Sequence, residues 1–368
     1  MSDIIDLFCG VGGLSLGAVQ AGFTPRLAVD VDPVLGDGHR RNHPACKLLV
    51  GDLAQREAVE LKELSGTQGR LSGVIGGPPC QGFSSIGKRR SDDPRNMLLH
   101  RFFHLVEELK PKFFLMENVP GLLLDDGTRI LNSAISALKH PYEILDPIIL
   151  DAADYGAATT RKRLVVLGYD PSDIDCIQVA DLLAAKSAVR YTVRDAIAGL
   201  PGPAVSDVLR IDQSGLDNPY VQILNAYVRP DLRCRPEDID ARRELISGFQ
   251  LTRHSQEVVD RFSKVLPGGK DPVSRYVRLS WERPANVLRA GTGADRGSFQ
   301  AARPIHPSDH RVITVREAAR IQGFPDWYDF HGTKWHSHRM IGNSVSPPFA
   351  RALLSVVAAR TDMGKQIC

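Results

Sequence analysis

The chain has 368 residues, 43% of them hydrophobic and 24% charged, with a net charge of +3. That composition fits a soluble globular protein with a sizeable core, built as one large domain or about two ordinary ones. Three features narrow the class further: no apolar run approaches the roughly 18 residues that span a bilayer, the start Met1-Ser2-Asp3-Ile4 has no basic segment ahead of an apolar one, and a pI of about 8.5 permits a nucleic-acid partner without demanding one.

In chain order, Ile4-Ile5-Asp6-Leu7-Phe8 reads as a buried strand that runs into Gly10-Val11-Gly12-Gly13, followed by a helical stretch over 14–20 that can stop at Gly22. Residues 26–30, 48–50 and 73–75 read as the second, third and fourth strands, with a helix over 56–64. Residues 96–109 place Met97, Leu98, Phe102, Leu105, Val106 and Leu109 on one helical stripe that ends before Pro111. Strands over 113–116, 142–150 and 164–168 follow. Strands separated by helices predict an α/β fold with a doubly wound, mostly parallel sheet, with ligands at the carboxyl ends of the strands. From about Tyr191 the alternation is lost and Pro, Gly and Arg become frequent, which predicts a second, smaller domain of irregular or β-rich structure. Helices over 315–322 and 349–359 close the chain. No internal repeat or low-complexity tract interrupts it.

The six cysteines, at 9, 46, 80, 176, 234 and 368, form no C-x-x-C pair, and no histidine cluster has zinc spacing, so no metal is expected. A reduced, cytoplasmic compartment is the simplest reading. Three places carry chemistry. The first is the glycine loop after the first strand, where backbone can come close to a ligand at a helix start. Asp30 at the end of the second strand is suited to ribose hydroxyls. Asp52, followed by Leu53, is placed to meet an adenine amino group. The spacing is not the G-x-G-x-x-G of dinucleotide enzymes. The second place is Gly76-Gly77-Pro78-Pro79-Cys80-Gln81-Gly82-Phe83-Ser84. A lone cysteine is usually a small core hydrophobe, but a stiff Pro-Pro loop at the sheet edge is poor core material, so Cys80 reads as a nucleophile. The third is Glu117-Asn118, which adjacent parallel strands bring to the same edge as Cys80. Arg161 and Arg163 alternate ahead of the last strand and would share a face, where they could hold a carbonyl oxygen and a phosphate.

With Arg316-Glu317-Ala318-Ala319-Arg320-Ile321-Gln322-Gly323-Phe324-Pro325 and Gly342-Asn343-Ser344-Val345, these stretches resemble, in family order and along nearly the whole chain, the cytosine-5 DNA methyltransferases, mostly of bacterial modification systems. The resemblance implies a Rossmann-like methyltransferase domain over 1–185, completed by 325–368, with a target-recognition domain and hinge over 186–324. It implies S-adenosylmethionine as cofactor, held by Phe8, Gly10, Gly12, Gly13, Asp30, Val31, Asp52, Leu53, Pro78, Asn343 and Ser344. It implies catalysis by Cys80, Glu117, Asn118, Arg161 and Arg163 on a flipped-out cytosine of duplex DNA. A mobile loop over 84–96 would close on the DNA with Gln81, Ser84, Ser85, Lys88, Arg89, Arg90 and Arg95. Arg275, Arg278, Arg283, Arg289 and Arg296 are candidates for reading guanine. A monomer and a cognate restriction endonuclease encoded nearby are also expected. Two departures stand out: Ala158-Thr159 replaces the family's frequent Pro-Gln, and Val31 stands where an aromatic that stacks on adenine is common. The rival readings are a tRNA cytosine methyltransferase on the same fold, a catalytically silent DNA-binding protein, and a nicotinamide oxidoreductase. The variable segment before Arg316 favours duplex DNA over tRNA, the intact Cys80, Glu117 and Arg163 oppose a silent protein, and the glycine spacing and Pro-Pro-Cys loop oppose the oxidoreductase.

Overall fold

The structure is a computed structural model that describes residues 2–79, 96–124, 126–210, 218–226, 245–291 and 303–361. The chain forms two compact units, one of residues 1–151, 162–186 and 349–368, the other of 152–161 and 187–348.

The first unit is built on an eight-stranded sheet: β1 (Asp3–Leu7), β2 (Thr24–Asp30), β3 (Lys47–Val50), β4 (Gly73–Gly76), β5 (Phe113–Asn118), β6 (Glu143–Ile144), β7 (Ile148–Asp151) and β8 (Lys162–Tyr169). The order is β3-β2-β1-β4-β5-β8-β6, with β7 also on β8. The first five strands are parallel; β8 runs antiparallel to β5, and β6 and β7 antiparallel to β8. The doubly wound, mostly parallel α/β fold expected from the sequence is therefore present. The run 142–150, expected as one strand, is two strands on the same neighbour, because Asp146-Pro147 breaks the ladder and proline has no N–H to give it. β1, β4 and β5 are buried along their whole length, as parallel strands of a doubly wound sheet are, although β1 carries Asp3 and Asp6 and β5 ends in Glu117-Asn118.

The crossovers include α1 (Gly13–Gln20), α2 (Pro33–Asn42), α3 (Ala58–Ser65), α4 (Asn96–Leu109) and α5 (Asp126–Ile135). Of the apolar stripe expected over 96–109, Phe102, Leu105 and Val106 are buried, but Met97 is 71% exposed; Leu99 and Phe103, outside the expected stripe, complete the buried face of α4, which shares a core with Ile5, Leu7, Val74, Phe114 and Met116. The pattern did not announce α2, yet its start is written locally. Asp32 Oδ1 accepts from the N–H groups of Val34 and Leu35, and Pro33 occupies the first turn.

In the second unit, β9 (Val208–Arg210) and β10 (Leu245–Ser247) form a two-stranded antiparallel sheet. Around it lie isolated bridges and short helices, α6 (Val193–Ile197) and α7 (Pro219–Asn225) among them. Among the described residues this unit is irregular rather than β-rich. It is organised on α8 (Val315–Gln322), every residue of which is buried. Its charges are satisfied internally. Arg316 donates to the carbonyls of Ser247, Pro325 and Tyr328. Arg320 forms a two-pronged pair with Asp326, both contacts at 2.7 Å. Glu317 caps its own helix with Thr314 and receives Arg311. Most donors of these guanidinium groups thus find acceptors, which offsets much of the cost of burying their charge. Residues 325–348, expected with the cofactor domain, group with the second unit, where Arg316 and Arg320 bind the segment around Pro325, Asp326 and Tyr328.

Candidate active site

Strand order reverses between β1 and β4: the chain first runs outward through β2 and β3, then returns to lay β4 and β5 on the other side. Ligands of doubly wound sheets bind in the crevice at such a point, outside the carboxyl ends of the strands. Leu7 pairs with Gly76, and Gly76 with Met116, so Phe8 and Gly77, which leave the sheet, and Glu117, still in β5, come side by side at one edge.

Phe8 turns the chain with φ +62, and Gly10 and Gly12 follow at φ +56 and +99. Gly12, the N-cap of α1, has no side chain to offer, so the first N–H groups of the helix receive no side-chain hydrogen bond from it. Asp30 is 9% exposed. Its Oδ2 accepts from the Gly10 N–H at 2.8 Å and its Oδ1 from the Asp32 N–H, also at 2.8 Å. Asp30 thus fixes the glycine loop as well as facing the crevice, a role the sequence does not announce. Val31 beside it is 67% exposed. Asp52 is exposed at the end of β3 and accepts from the Ala54 N–H at 2.9 Å, while Leu53 is buried.

The edge of β4 and β5 is held together by Asn118. Its Nδ2 donates to the carbonyl of Pro78 at 3.2 Å and its Oδ1 accepts from the Val119 N–H at 2.8 Å. Glu117 is 9% exposed. Arg163 Nε lies 2.6 Å from Glu117 Oε1, with side-chain exposures of 13% and 12%. Glu117 pairs with Val165 across the β5–β8 ladder, which is what carries Arg163 to it. The antiparallel turn of β8 therefore builds this ion pair.

Arg161 does not join it. It belongs to the second unit, is 4% exposed, and donates through Nη1 to the carbonyls of Gly342 at 3.0 Å and Leu288 at 3.4 Å. β8 begins at Lys162, so Arg161 lies just ahead of the strand that carries Arg163. In the same unit Asn343 is exposed at the end of the helix Lys334–Asn343, and buried Ser344 accepts Gln322 Nε2 on its carbonyl at 2.8 Å. Arg278, a candidate for reading bases, is instead a buried tie: its guanidinium donates to the carbonyls of Phe262, His306, Pro307 and Asp309. Cys80, Gln81, Ser84, Ser85, Lys88, Arg89, Arg90, Arg95 and Arg296 lie outside the described residues.

Two other thiols are unsuited to nucleophilic work. Cys9 and Cys46 are buried, and burial, with Asp30 and Asp6 near Cys9 and Asp6 near Cys46, pushes both thiols up and away from the reactive thiolate. The sequence reading missed a buried chain of Asp6, Ser15, His39 and His43 beneath the glycine loop. A carboxylate inside the apolar strand Ile4-Ile5-Asp6-Leu7 was the signal that could have found it. No group of three or more potential metal ligands occurs among the described residues. No helix among them is long and apolar enough to cross a membrane.

Comparison with known proteins gives the same picture. The family model for C-5 cytosine-specific DNA methylases matches residues 2–358. The chain is 42% identical over 358 residues to the type II methyltransferase M.XorII of Xanthomonas oryzae pv. oryzae, covering 95% of this chain and 82% of that protein. It is 33% identical to the type II methyltransferase M.DdeI of Desulfomicrobium norvegicum, covering 95% and 87%. Among solved structures it resembles an E. coli prophage-encoded protein described as a DNA modification methyltransferase, with a TM-score of 0.84, 38% identity, and 98% and 99% of the two chains covered. S. pombe Dnmt2, at 16% identity and a TM-score of 0.64 over 97% and 98% of the chains, shares the fold. With the family matched across nearly its whole length, the chain belongs to the C-5 cytosine-specific DNA methylases, enzymes that use S-adenosylmethionine.

Proposed function

We propose that the chain methylates a cytosine within a specific duplex DNA sequence, with Cys80 as the nucleophile and Glu117 as the group that holds and protonates the base. The observation that carries this reading is the Arg163–Glu117 ion pair, 2.6 Å long, on the strand next to the one that leads into Pro78-Pro79-Cys80. The residues around the β1–β2–β3 edge fit the cofactor. A Cβ built on Gly10 meets nothing within 4 Å, so the loop is open above, and the α1 N-terminus, Asp30 and Asp52 offer donors and acceptors to a carboxylate, ribose hydroxyls and an adenine amino group. Asn343 and Ser344 are assigned to the same cofactor by their motif.

S-adenosylmethionine, when bound, supplies a methyl group on a positively charged sulfur. Cys80 adds as a thiolate to cytosine C6, forming the C6–S bond, and the ring electrons move toward C5, which becomes nucleophilic. Glu117, protonated from solvent as the base binds, gives that proton to N3 as the ring takes up charge, which lowers the barrier through a positioned hydrogen bond. Arg163 holds the Glu117 carboxyl in place and brings positive charge near the thiolate. Asn118 fixes the backbone at Pro78, two residues before Cys80. With the methyl group on C5 and the donor left as the neutral thioether S-adenosylhomocysteine, the C5 proton passes to water, the C6–S bond breaks with return of its electron pair to sulfur, N3 gives its proton back to Glu117, and 5-methylcytosine is released. The base has to leave the stack first, at a cost of a few kcal/mol.

The type II names of the relatives support a modification enzyme acting beside a restriction endonuclease of the same specificity, and we infer that it works in the cytoplasm as a monomer. The test is methyl transfer from labelled S-adenosylmethionine to mixed-sequence duplex DNA, with tRNA and Cys80→Ala in parallel and bisulfite sequencing of the product. Label on DNA that requires Cys80 supports the proposal and gives the target sequence. Label on tRNA alone, or on DNA with Cys80→Ala, overturns it.

A further inference from the structure

Beneath the glycine loop lies a polar chain that the reaction above does not use: Asp6 in β1, Ser15 in α1, His39 in α2 and His43 just past its end. All four are 0–2% exposed. Ser15 Oγ donates to Asp6 Oδ2 at 2.5 Å and sits 3.1 Å from His39 Nε2. The His39 ring stacks on His43 with centroids 4.5 Å apart. The His43 ring in turn hydrogen-bonds the Gly12 backbone. A Cβ on Gly12 would lie 2.7 Å from His43 Nε2 and 2.8 Å from His39 Cδ2. The two imidazoles fill the space a side chain would need, so the left-handed Gly12 turn that opens α1 is set from below.

A carboxyl, a hydroxyl and an imidazole in a row can hold their protons in two ways. With Asp6 ionised, Ser15 donates to it and His39 Nε2–H donates to Ser15. With Asp6 protonated, the carboxyl donates to Ser15, Ser15 donates to His39 Nε2, and the imidazole proton sits on Nδ1. One proton added at Asp6 therefore reverses both hydrogen bonds and switches the His39 tautomer.

We propose that Asp6, Ser15, His39 and His43 are positioning residues for S-adenosylmethionine, a proton-sharing chain that fixes the Gly12 turn and makes cofactor affinity depend on the charge of Asp6. The proposal rests on reading residues 8–13 as the cofactor loop. The groups that face Asp6 are Ser15 from α1, His39 and His43 from α2, Asp30 from β2, Cys9 from its own loop and Cys46 ahead of β3. Burial holds both histidines neutral, pushing His43 down to about 4 and His39 well below its usual range, so neither supplies a cation to Asp6. Burial, with the Asp30 carboxylate adding to it, raises Asp6 to about 7 against the pull of the Ser15 hydroxyl. Ionising Asp6 places a second buried negative charge beside Asp30, the residue that clamps Gly10. Affinity for the cofactor should fall as the pH rises through this range.

The experiment is calorimetric titration of the full chain with S-adenosylmethionine from pH 6 to 9, comparing wild type with Asp6→Asn, Ser15→Ala and Asp30→Ala, each first checked for a cooperative melt. The amino group of the cofactor titrates near pH 8 as well, so the readout is each variant relative to wild type. The expected result is that the dissociation constant of wild type rises over this span by about tenfold more than that of Asp6→Asn, the size of one pKa unit of coupling. Ser15→Ala should raise KM for the cofactor several-fold with a much smaller change in kcat, and it should lose the wild-type pH slope. If Ser15→Ala fails to fold, the Asp6→Asn slope decides. Asp6→Asn and Ser15→Ala slopes equal to wild type, with Asp30→Ala weakened, overturn the proposal. An unchanged constant in Asp30→Ala overturns instead the reading of residues 8–13 as the cofactor loop.

Discussion

Glu117→Gln separates the chemical role of this residue from its structural one. The substitution keeps the shape of the side chain and its hydrogen-bonding carbonyl, but removes the charge 2.6 Å from Arg163 Nε. Breaking a fully buried pair by deleting one partner costs about 3–5 kcal/mol. Here both side chains keep 12–13% exposure, Arg163 also donates through Nη1 to the Lys162 carbonyl at 2.7 Å, and glutamine still offers an oxygen. The expected loss of stability is therefore smaller, roughly 1–3 kcal/mol, or several degrees in melting temperature at about 2–4 °C per kcal/mol. The loss in chemistry should be larger. A neutral amide has no proton to give to N3 as the ring charge develops, and positioned proton transfer is worth about 10²–10⁴-fold in rate. Single-turnover methyl transfer at saturating DNA and cofactor reads the rate, fluorescence anisotropy reads DNA binding, and differential scanning fluorimetry reads stability. The single-turnover rate should fall by two orders of magnitude or more while DNA affinity changes far less. A rate equal to wild type would refute the assignment of Glu117 to the chemical step. A rate loss matched by an equal loss of DNA affinity would make it a binding residue.

Three further outcomes are expected. Asp30→Ala removes the acceptor for the N–H groups of Gly10 and Asp32; hydrogen bonds to a charged group are worth about 1.5–3 kcal/mol each, so the calorimetric dissociation constant for S-adenosylmethionine should rise at least about tenfold, and an unchanged value would count against the clamp. Gly342→Ala would place a methyl group 2.5 Å from Ala290 N and 2.5 Å from the Arg289 carbonyl carbon; forced overpacking costs about 1–3 kcal/mol, so urea unfolding should show a lower midpoint, and wild-type stability would show that the backbone yields. The pH dependence of stability has two opposed parts. Asp6 is raised to about 7 by burial, so the folded state holds its proton more tightly than the unfolded state. Its contribution is full below about pH 3.8 and is lost as the pH rises to about 7. His43 is lowered to about 4 by burial, so its contribution is full above about pH 6.5 and is lost as the pH falls toward 4. Asp6→Asn should therefore flatten the Asp6 part, and melting curves of wild type and variant that change in parallel from pH 4 to 7 would contradict it.

Much of the fold was legible in the residues themselves. The strands β1, β4 and β5, the Phe102, Leu105 and Val106 part of the α4 stripe and the bounds of α8 follow from local pattern, which tertiary packing had no reason to override. The glycine loop, Pro78 and Glu117 were legible because turns that leave parallel strands at a switch point gather at one edge whatever the rest of the chain does. The fates of the arginines were not legible. Arg161 and Arg163 are two residues apart, yet one is a buried tie to the Gly342 carbonyl and the other the partner of Glu117, and Arg278, which looked like a base reader, spends its donors on four backbone carbonyls. A guanidinium satisfies carbonyls, carboxylates and phosphates equally well, so sequence fixes its charge but only the surrounding fold chooses its partner. The same holds for Asp6, Ser15, His39 and His43, which come from β1, α1, α2 and the turn beyond it: each reads as an ordinary residue of its own element, and only the packing of those elements, which excludes water from all four at once, makes them a chain.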